Sequence, residues 1–490
     1  MLFNTLDFII FFAIIVGSIS FFRFRNFQHI LIIVSSLYFL FYTDNFLVTL
    51  LISTILLHFY IGRGIYKSKD PKIRKIFLIV GILGSLSLLG FFKYYDFAIT
   101  QFNIFGNLLN LENQIPLLNL ALPIGISFYT FQSLSYIIDI YRGHLTPTKS
   151  LKEYAFFVAF FPSLVSGPIL RASHFLPQLK EKIGQAKSSE RLRLFIIQNS
   201  RLKFGISLML LGFFKKMVFA DNIAPLVNNI FSNPMGMESF SIILGSIAFG
   251  IQVYCDFSGY SDIAIGAAAI LGFKIPLNFN KPFFATSPSD FWSRWHISLS
   301  TWVRDYLYFP LALKHRRSSV IVFSSLLVSM LLMGLWHGAS WNFVIWGGLH
   351  GIFLAAFTIL RKKYSKPTEP FFKSKFGKLF SIFVTQYLVF FAFIPFIVQD
   401  FDHMWYAMEK YVILDFTTSQ TIEIINENEF AILLVILFVV LHYISYRQGN
   451  LPEKISKLKL RYWILFLIFI ILPISLFYVG SAQEFIYFQF

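Results

Sequence analysis

Apolar runs closed by short polar or basic stretches set the organisation of this chain. Phe8 to Phe22 is followed by Arg23 and Arg25, and His29 to Tyr42 ends at Asp44. Phe46 to Gly62 ends in a loop holding Arg63, Lys67, Lys69, Lys72, Arg74 and Lys75, and Ile76 to Phe92 comes next. Later runs cover Leu122 to Tyr141, Phe204 to Phe219, Phe240 to Tyr254, Ser318 to Leu335, Phe343 to Leu360, Leu379 to Val398, Phe430 to Tyr446 and Tyr462 to Tyr478. Most are roughly 14–20 residues long, near the ~20 that cross ~30 Å of hydrocarbon as helix. The short alternating strands of a membrane barrel are not seen. The pattern predicts an all-α polytopic membrane protein with about 11–12 segments at membrane depth.

Some stretches break the pattern. Tyr154 to Leu170 holds Pro162, Gly167 and Pro168 and has basic residues on both flanks, which predicts a re-entrant hairpin covered by protein, with a single kinked helix as the alternative. Leu122 to Tyr141 is apolar but carries hydroxyls, Gln132 and Asp139, so it should face protein or a wet cavity rather than lipid. Tyr94 to Asn119 reads as external and partly amphipathic, and Gln178 to Lys203 as a basic cytoplasmic amphipathic helix. Asp256-Phe257-Ser258-Gly259-Tyr260-Ser261-Asp262 reads as a polar break after a span. With no internal repeat and no soluble block, residues 1–490 read as one membrane-embedded domain, its motifs within about 120–360 and its last helices within 379–490.

Composition sharpens this. Hydrophobic residues make up 56% of the chain and charged ones 14%, with mean hydropathy +0.65; a soluble domain is about 25% charged. Net charge is +17, which the bias of Lys and Arg toward cytoplasmic loops accounts for. That bias puts the loops at Arg23 and at Arg63 to Lys75 inside and the N-terminus outside, as expected of a multi-pass protein of the cytoplasmic, or inner, cell membrane. Nucleic-acid binding is not expected, because no soluble basic domain exists to carry it. Cys255 is the only cysteine, so no intramolecular disulfide and no cysteine cluster for zinc can form, and no metal is required. The stretch from Met1 to Asp7 lacks Lys and Arg, so Phe8 to Phe22 reads as a retained helix rather than a signal peptide.

Polar chemistry concentrates between Asp290 and His350. His296 and His337 each follow a tryptophan, Trp295 and Trp336. His337 lies at the far end of a span that begins at a basic loop, with Gly338, Ala339 and Ser340 after it. A neutral imidazole at such depth can take a proton from a hydroxyl and return it; the plain alternative is a buried histidine bonded to a carbonyl. Asp290 to Tyr306 reads as an amphipathic helix at the membrane surface, with Trp292, Trp295 and Trp302 at the interface and Arg294, Arg304, Lys314, Arg316 and Arg317 forming a patch able to hold phosphate.

These residues resemble the membrane-bound O-acyltransferase family, in particular its bacterial branch related to alginate O-acetyltransferase. The matches are Pro123 to Gln132, Asp139-Ile140-Tyr141-Arg142, Phe161-Pro162, Ser166 to Arg171, Asp256 to Asp262, Asn278-Phe279-Asn280, Phe291 to Tyr306, Leu335 to Trp341 and the terminal Phe485 to Phe490. Ala312 and Leu313 depart from the two glycines usual there, as Ser163 and Ser166 depart within the hairpin. The resemblance implies a core around a central channel, with His337 as the principal catalytic histidine and His296 as a second polar position. It implies no bound cofactor, an acyl thioester donor such as acetyl-CoA presented from the cytoplasm, and an acceptor outside. That acceptor is a polysaccharide, as in alginate biosynthesis, or a periplasmic or surface protein that passes the acyl group on. Trp295, Arg294, Arg304, Trp336 and Ser340 are the expected substrate-binding residues. Competing readings are D-alanyl transfer from a carrier protein to teichoic acid, and a conduit without chemistry of its own.

Overall fold

The computed structural model describes every residue except 23–24, 43–46, 111–113, 121–122, 124, 166, 185–198, 314–317, 481–484 and 487–490. Helix is the only regular structure among the described residues. Among the described residues seven helices are long and apolar enough to cross a membrane, and Leu6–Phe21, Asn26–Phe41 and Leu460–Leu476 are shorter apolar helices. Large hydrophobic side chains such as Phe383 and Phe469 stay exposed, at 67% and 74%, as lipid-facing residues do. This is an all-α, multi-pass membrane protein.

The chain divides into two compact units, one of residues 1–209 and 263–276, the other of 210–262 and 277–490. The first contains α1 (Leu6–Phe21), α2 (Arg25–Phe41), α3 (Leu47–Lys67), α4 (Pro71–Leu89), α5 (Tyr95–Leu108), α6 (Ile126–Tyr141), α7 (Leu151–Ala159), α8 (Phe161–Leu164) and α9 (Ala172–Gly184). Asp70 caps α4 and Pro71 opens it, since proline supplies the right φ where no N–H is needed. A π-turn at Gly90–Tyr94 carries the helix on into α5, so the segment expected to be external begins as an extension of a span.

Helix α6 is the centre of this unit. It packs on α3, α4, α7 and α9, and every residue from Ile126 to Ile140 except Ile138 is buried. Its hydroxyls thus face protein, as expected. The stretch from Tyr154 to Leu170 is a helix, a break and a short helix rather than one kinked helix. Gly167 sits where a Cβ would come within 2.2 Å of Pro162 O, so only glycine fits. Phe156, Phe160, Phe175 and Phe273 form one aromatic cluster with neighbouring centroids 5.1–6.0 Å apart.

α10 (Asn199–Phe214) and α12 (Ser239–Ile270) each contribute to both units. α11 (Asp221–Phe231) lies between them in sequence. α12 is one unbroken helix of 32 residues, so Asp256 to Asp262 is not the break expected from sequence. The reason is that its charges are paired in place. Asp256 Oδ1 lies 2.6 Å from Lys216 Nζ and Asp262 Oδ2 lies 2.5 Å from Lys215 Nζ. Paired charges inside a helix bundle give the backbone no cause to unwind.

The second unit continues with α13 (Pro288–Trp292), α14 (Ile297–Val303), α15 (Phe309–Ala312), α16 (Ser319–His337), α17 (Trp341–Lys373) and α18 (Lys375–Ile397). It ends with α19 (Phe401–Val412), α20 (Ser419–Glu427), α21 (Glu429–Gln448), α22 (Leu451–Ser456) and α23 (Leu460–Leu476). Polar side chains set the boundaries: Ser318 caps α16, Ser374 caps α18 and Asp400 caps α19, each accepting a backbone N–H three residues on. α16 and α17 form a tight antiparallel pair because Gly334 and Gly347 face each other's backbone. A Cβ on Gly334 would lie 2.1 Å from Phe343 O, and one on Gly347 would lie 2.3 Å from Met330 O.

Candidate functional site

Both histidines belong to the second unit. His337 is the last residue of α16, where Gly338 turns the chain into extended geometry toward α17. Its ring is walled by aromatics: Trp336 at 4.7 Å, Trp346 at 4.8 Å and Phe396 at 5.4 Å between centroids. Gly338 cannot be larger, since a Cβ would fall 2.0 Å from the Phe343 ring. Asn342 holds the start of α17 to the end of α18 by donating to Val398 O at 2.6 Å and Gln399 O at 3.2 Å.

The sequence from Asp290 to Tyr306 does not form one amphipathic helix. α13 ends at Trp292, residues 293–296 turn, and α14 begins at Ile297. His296 sits at the turn with φ 42 and ψ 53, left-handed geometry that costs a non-glycine residue about 1–3 kcal/mol. Neighbouring bonds fix it. Asn278 O accepts from Ile297 N at 2.9 Å, and Asn278 Oδ1 accepts from Ser298 Oγ at 2.6 Å and Ser298 N at 3.3 Å. Asn278 Nδ2 in turn donates to Ser261 Oγ on α12 at 3.1 Å. The His296 ring lies 4.6 Å from Phe257 and 6.2 Å from Trp336. Burial lowers its pKa to about 3, so the ring is neutral.

The tryptophans expected at the interface are instead inside. Trp292, Trp295 and Trp302 are all buried, because the broken helix folds inward and places them against protein. Trp295 stacks on Phe291 at 5.4 Å and meets Phe279 at 5.1 Å. Arg294 pairs with Asp290, four residues earlier: Nε lies 2.7 Å from Asp290 Oδ1. Burial alone would raise the Asp290 pKa, but Arg294, the Thr286 amide and Ser293 together hold it below the usual carboxylate value. Arg304 Nε pairs with Asp305 Oδ1 at 2.7 Å on a half-exposed side chain. Lys314, Arg316 and Arg317 lie outside the described residues.

A cavity of about 440 Å³ lies between the α13–α14 segment and α16–α17. Leu326, Met330, Met333, Leu354 and Trp292 give it apolar walls, and Ser293, Ser300, Thr301, Ser329, Thr358 and Arg304 give it polar ones. Of the expected substrate-binding residues, Arg304 lines this cavity. Trp336 lies between the two histidines. Trp295, next to His296 in sequence, packs on Phe291 and Phe279, Arg294 pairs with Asp290, and Ser340 precedes α17 with its Oγ buried and without a hydrogen-bond partner among the described residues. Asn278 and Phe257 stand in the motifs Asn278-Phe279-Asn280 and Asp256 to Asp262, but their contacts with the His296 turn had no signal in sequence, and His350, in the apolar run of α17, is marked by its polarity alone.

No cluster of three or more His, Cys, Asp or Glu suited to a metal occurs among the described residues. The C-terminal segment closes on the same unit: Phe485 is buried against Tyr260 at 4.6 Å and Phe257 at 5.4 Å, and Ile486 N donates to Asp256 Oδ2 at 2.8 Å.

Two buried histidines, His296 and His337, thus lie either side of Trp336 in the unit that also holds a cavity with both apolar and polar walls, in an all-helical membrane protein. Residues 143–399 match the model of the membrane-bound O-acyltransferase family, and the chain belongs to that family. It is 33% identical to the peptidoglycan O-acetyltransferase of Helicobacter pylori over 369 residues, which is 70% of this chain and 66% of that protein. It is 38% identical to the "Probable alginate O-acetylase AlgI" of Pseudomonas aeruginosa over 336 residues, 68% of this chain and 61% of that protein. To the teichoic acid D-alanyltransferase of Bacillus subtilis it is 29% identical over 297 residues, 58% of this chain and 71% of that protein. The chain thus spans a little under two thirds of the length of the first two relatives.

Proposed function

We propose that this protein transfers an acyl group, acetyl in the first instance, from a cytoplasmic thioester to a hydroxyl of a cell-envelope polysaccharide outside the membrane, directly or through a protein that passes the group on. The observation that carries the reading is that His296 and His337 flank one ring, Trp336, in the unit that also holds the cavity.

In this reading the thioester arm enters the cavity, where aliphatic walls suit its chain and Arg304 suits the phosphate end. His337 takes the proton of the acceptor hydroxyl as its oxygen attacks the thioester carbonyl carbon. The C–O bond forms, the C–S bond breaks, and the proton passes to the leaving thiolate. His296, neutral and held by the Asn278 lock, orients one reactant by hydrogen bonding. Ser340 Oγ is a candidate to stabilise the carbonyl oxygen as charge develops on it. The donor is acetyl-CoA and the cell membrane is the cytoplasmic one; both are parts of the proposal. The similarity to a teichoic acid D-alanyltransferase favours one second reading, in which the same site moves D-alanine from a carrier protein.

The test is acyl transfer in isolated membranes with radiolabelled acetyl-CoA, comparing wild type with His337→Ala and following label into glycan and protein fractions. Label that depends on His337 is expected. Equal label in both would make the chain a conduit and overturn the catalytic role. No label in either would turn the donor question to the D-alanyl carrier.

A further inference from the structure

His350 occupies a place that packing alone does not explain. It lies on α17, 2% exposed, one turn beyond Trp346. Its ring is 4.8 Å from Trp346, which is itself 4.8 Å from His337. On its other side it meets Trp292 at 5.0 Å, with the rings at 80°, and stacks on Phe291 at 6.3 Å. Phe291 stacks on Trp295, the residue before His296. His350 therefore joins the aromatic support of one histidine to that of the other.

A phenylalanine would fill an aromatic column of this kind without burying a polar atom, and a buried nitrogen without a hydrogen bond costs free energy. His350 Nε2 makes no hydrogen bond among the described residues, and neither do Trp292 Nε1 and Trp346 Nε1, on residues 7% and 2% exposed. Such groups in a native interior call for an account in terms of the working cycle. Trp292 supplies one: it lines the 440 Å³ cavity on one side and touches His350 on the other.

We propose that His350 is a positioning residue of the acyl-transfer site: when the cavity fills, the Trp292 indole N–H donates to His350 Nε2, and Trp346 carries the fixed ring position to His337. The inference rests on the acyl-transfer reading above. It requires the neutral His350 tautomer with its proton on Nδ1. Filling the cavity moves Trp292, an aligned bond forms where none exists at rest, and the ring against His337 stops shifting. His350 does not line the cavity, so it acts on turnover rather than on donor binding.

The experiment is steady-state transfer by the full chain in membranes with acetyl-CoA as donor, for wild type, His337→Ala, His350→Phe, Trp292→Phe, the double variant and His350→Gln. Thermal midpoints are measured in detergent alongside. His350→Phe is expected to lower kcat about 10-fold or more, as a misplaced catalytic group does, with donor KM within about threefold and a midpoint no lower than wild type. Trp292→Phe lowers kcat by a similar factor, and the double variant is no slower than the slower single one, because both remove the same bond. His350→Gln, which returns an acceptor, recovers part of the loss. Wild-type kcat in His350→Phe, multiplying losses in the double variant, or a kcat loss matched by a fallen midpoint would each overturn the proposal. Equal transfer by wild type and His337→Ala would remove the acyl-transfer reading, and this inference with it.

Discussion

Asn278 Oδ1 accepts from Ser298 Oγ at 2.6 Å, and this bond with its neighbours holds His296 in a backbone conformation it would not adopt unaided. The His296 ring direction depends on that turn. Asn278→Ala removes the acceptor for Ser298 and the donor to Ser261 together. We expect transfer to fall about 10–100-fold, as for a catalytic group misplaced by about 1 Å, while the protein still inserts and is recovered from membranes. The check is transfer per mole of purified protein, and near-wild-type turnover would show that His296 keeps its place without the lock.

The buried charge network on α12 makes a prediction of stability. Lys216 Nζ lies 2.8 Å from Asp221 Oδ1 and 2.6 Å from Asp256 Oδ1, with hardly any exposure on any of the three. Lys216→Met leaves two carboxylates in a protein interior without their cation. Removing one partner of a buried pair costs about 3–5 kcal/mol, so the detergent melting midpoint should drop sharply. Adding Asp256→Asn should restore part of it. A midpoint unchanged by Lys216→Met would mean water reaches these groups.

The approach of α16 and α17 is set by glycine. Gly334→Ala drives a methyl toward Phe343 O, which is backbone and cannot swing away. Overpacking of this kind costs about 1–3 kcal/mol. Because His337 ends α16, the helices part where the reaction takes place, so activity should fall further than the midpoint does. An alanine variant with full activity would show that the pair has slack.

The spans were legible in the sequence because apolar length is a direct physical requirement of the bilayer. His337 was legible as a candidate because an ionisable group is rare in such a run, and His296 because it too follows a tryptophan. The internal detail was less so. Asp256 to Asp262 reads as a break when its charges are taken alone, and the helix persists because Lys215 and Lys216, some forty residues earlier, neutralise it. Trp292, Trp295 and Trp302 have the composition of an interface belt, yet the turn at 293–296 folds them inward. Such a turn depends on Asn278, and a contact between distant segments leaves no periodic trace. His350 carries little sequence signal for a related reason: its meaning lies in touching Trp292 and Trp346 at once.

The neutral state of His296 separates its role from that of a titrating base. Burial lowers its pKa to about 3 from the ordinary 6.5. Above roughly pH 6.5 neither folded nor unfolded chain carries a proton there, so the stability is fully present. As pH falls from that value toward about 3 the unfolded chain takes a proton the folded ring refuses, and stability is lost over that window. The wild-type midpoint in detergent should therefore drop more between pH 7 and pH 5 than that of His296→Asn, which has nothing to titrate there. In the transfer assay His296→Asn should be slower at every pH but keep the inflections of the wild-type pH–rate profile. Loss of an inflection in this variant would mean that His296 itself changes charge in the working range, and the orienting role given to it would have to yield to one as proton carrier.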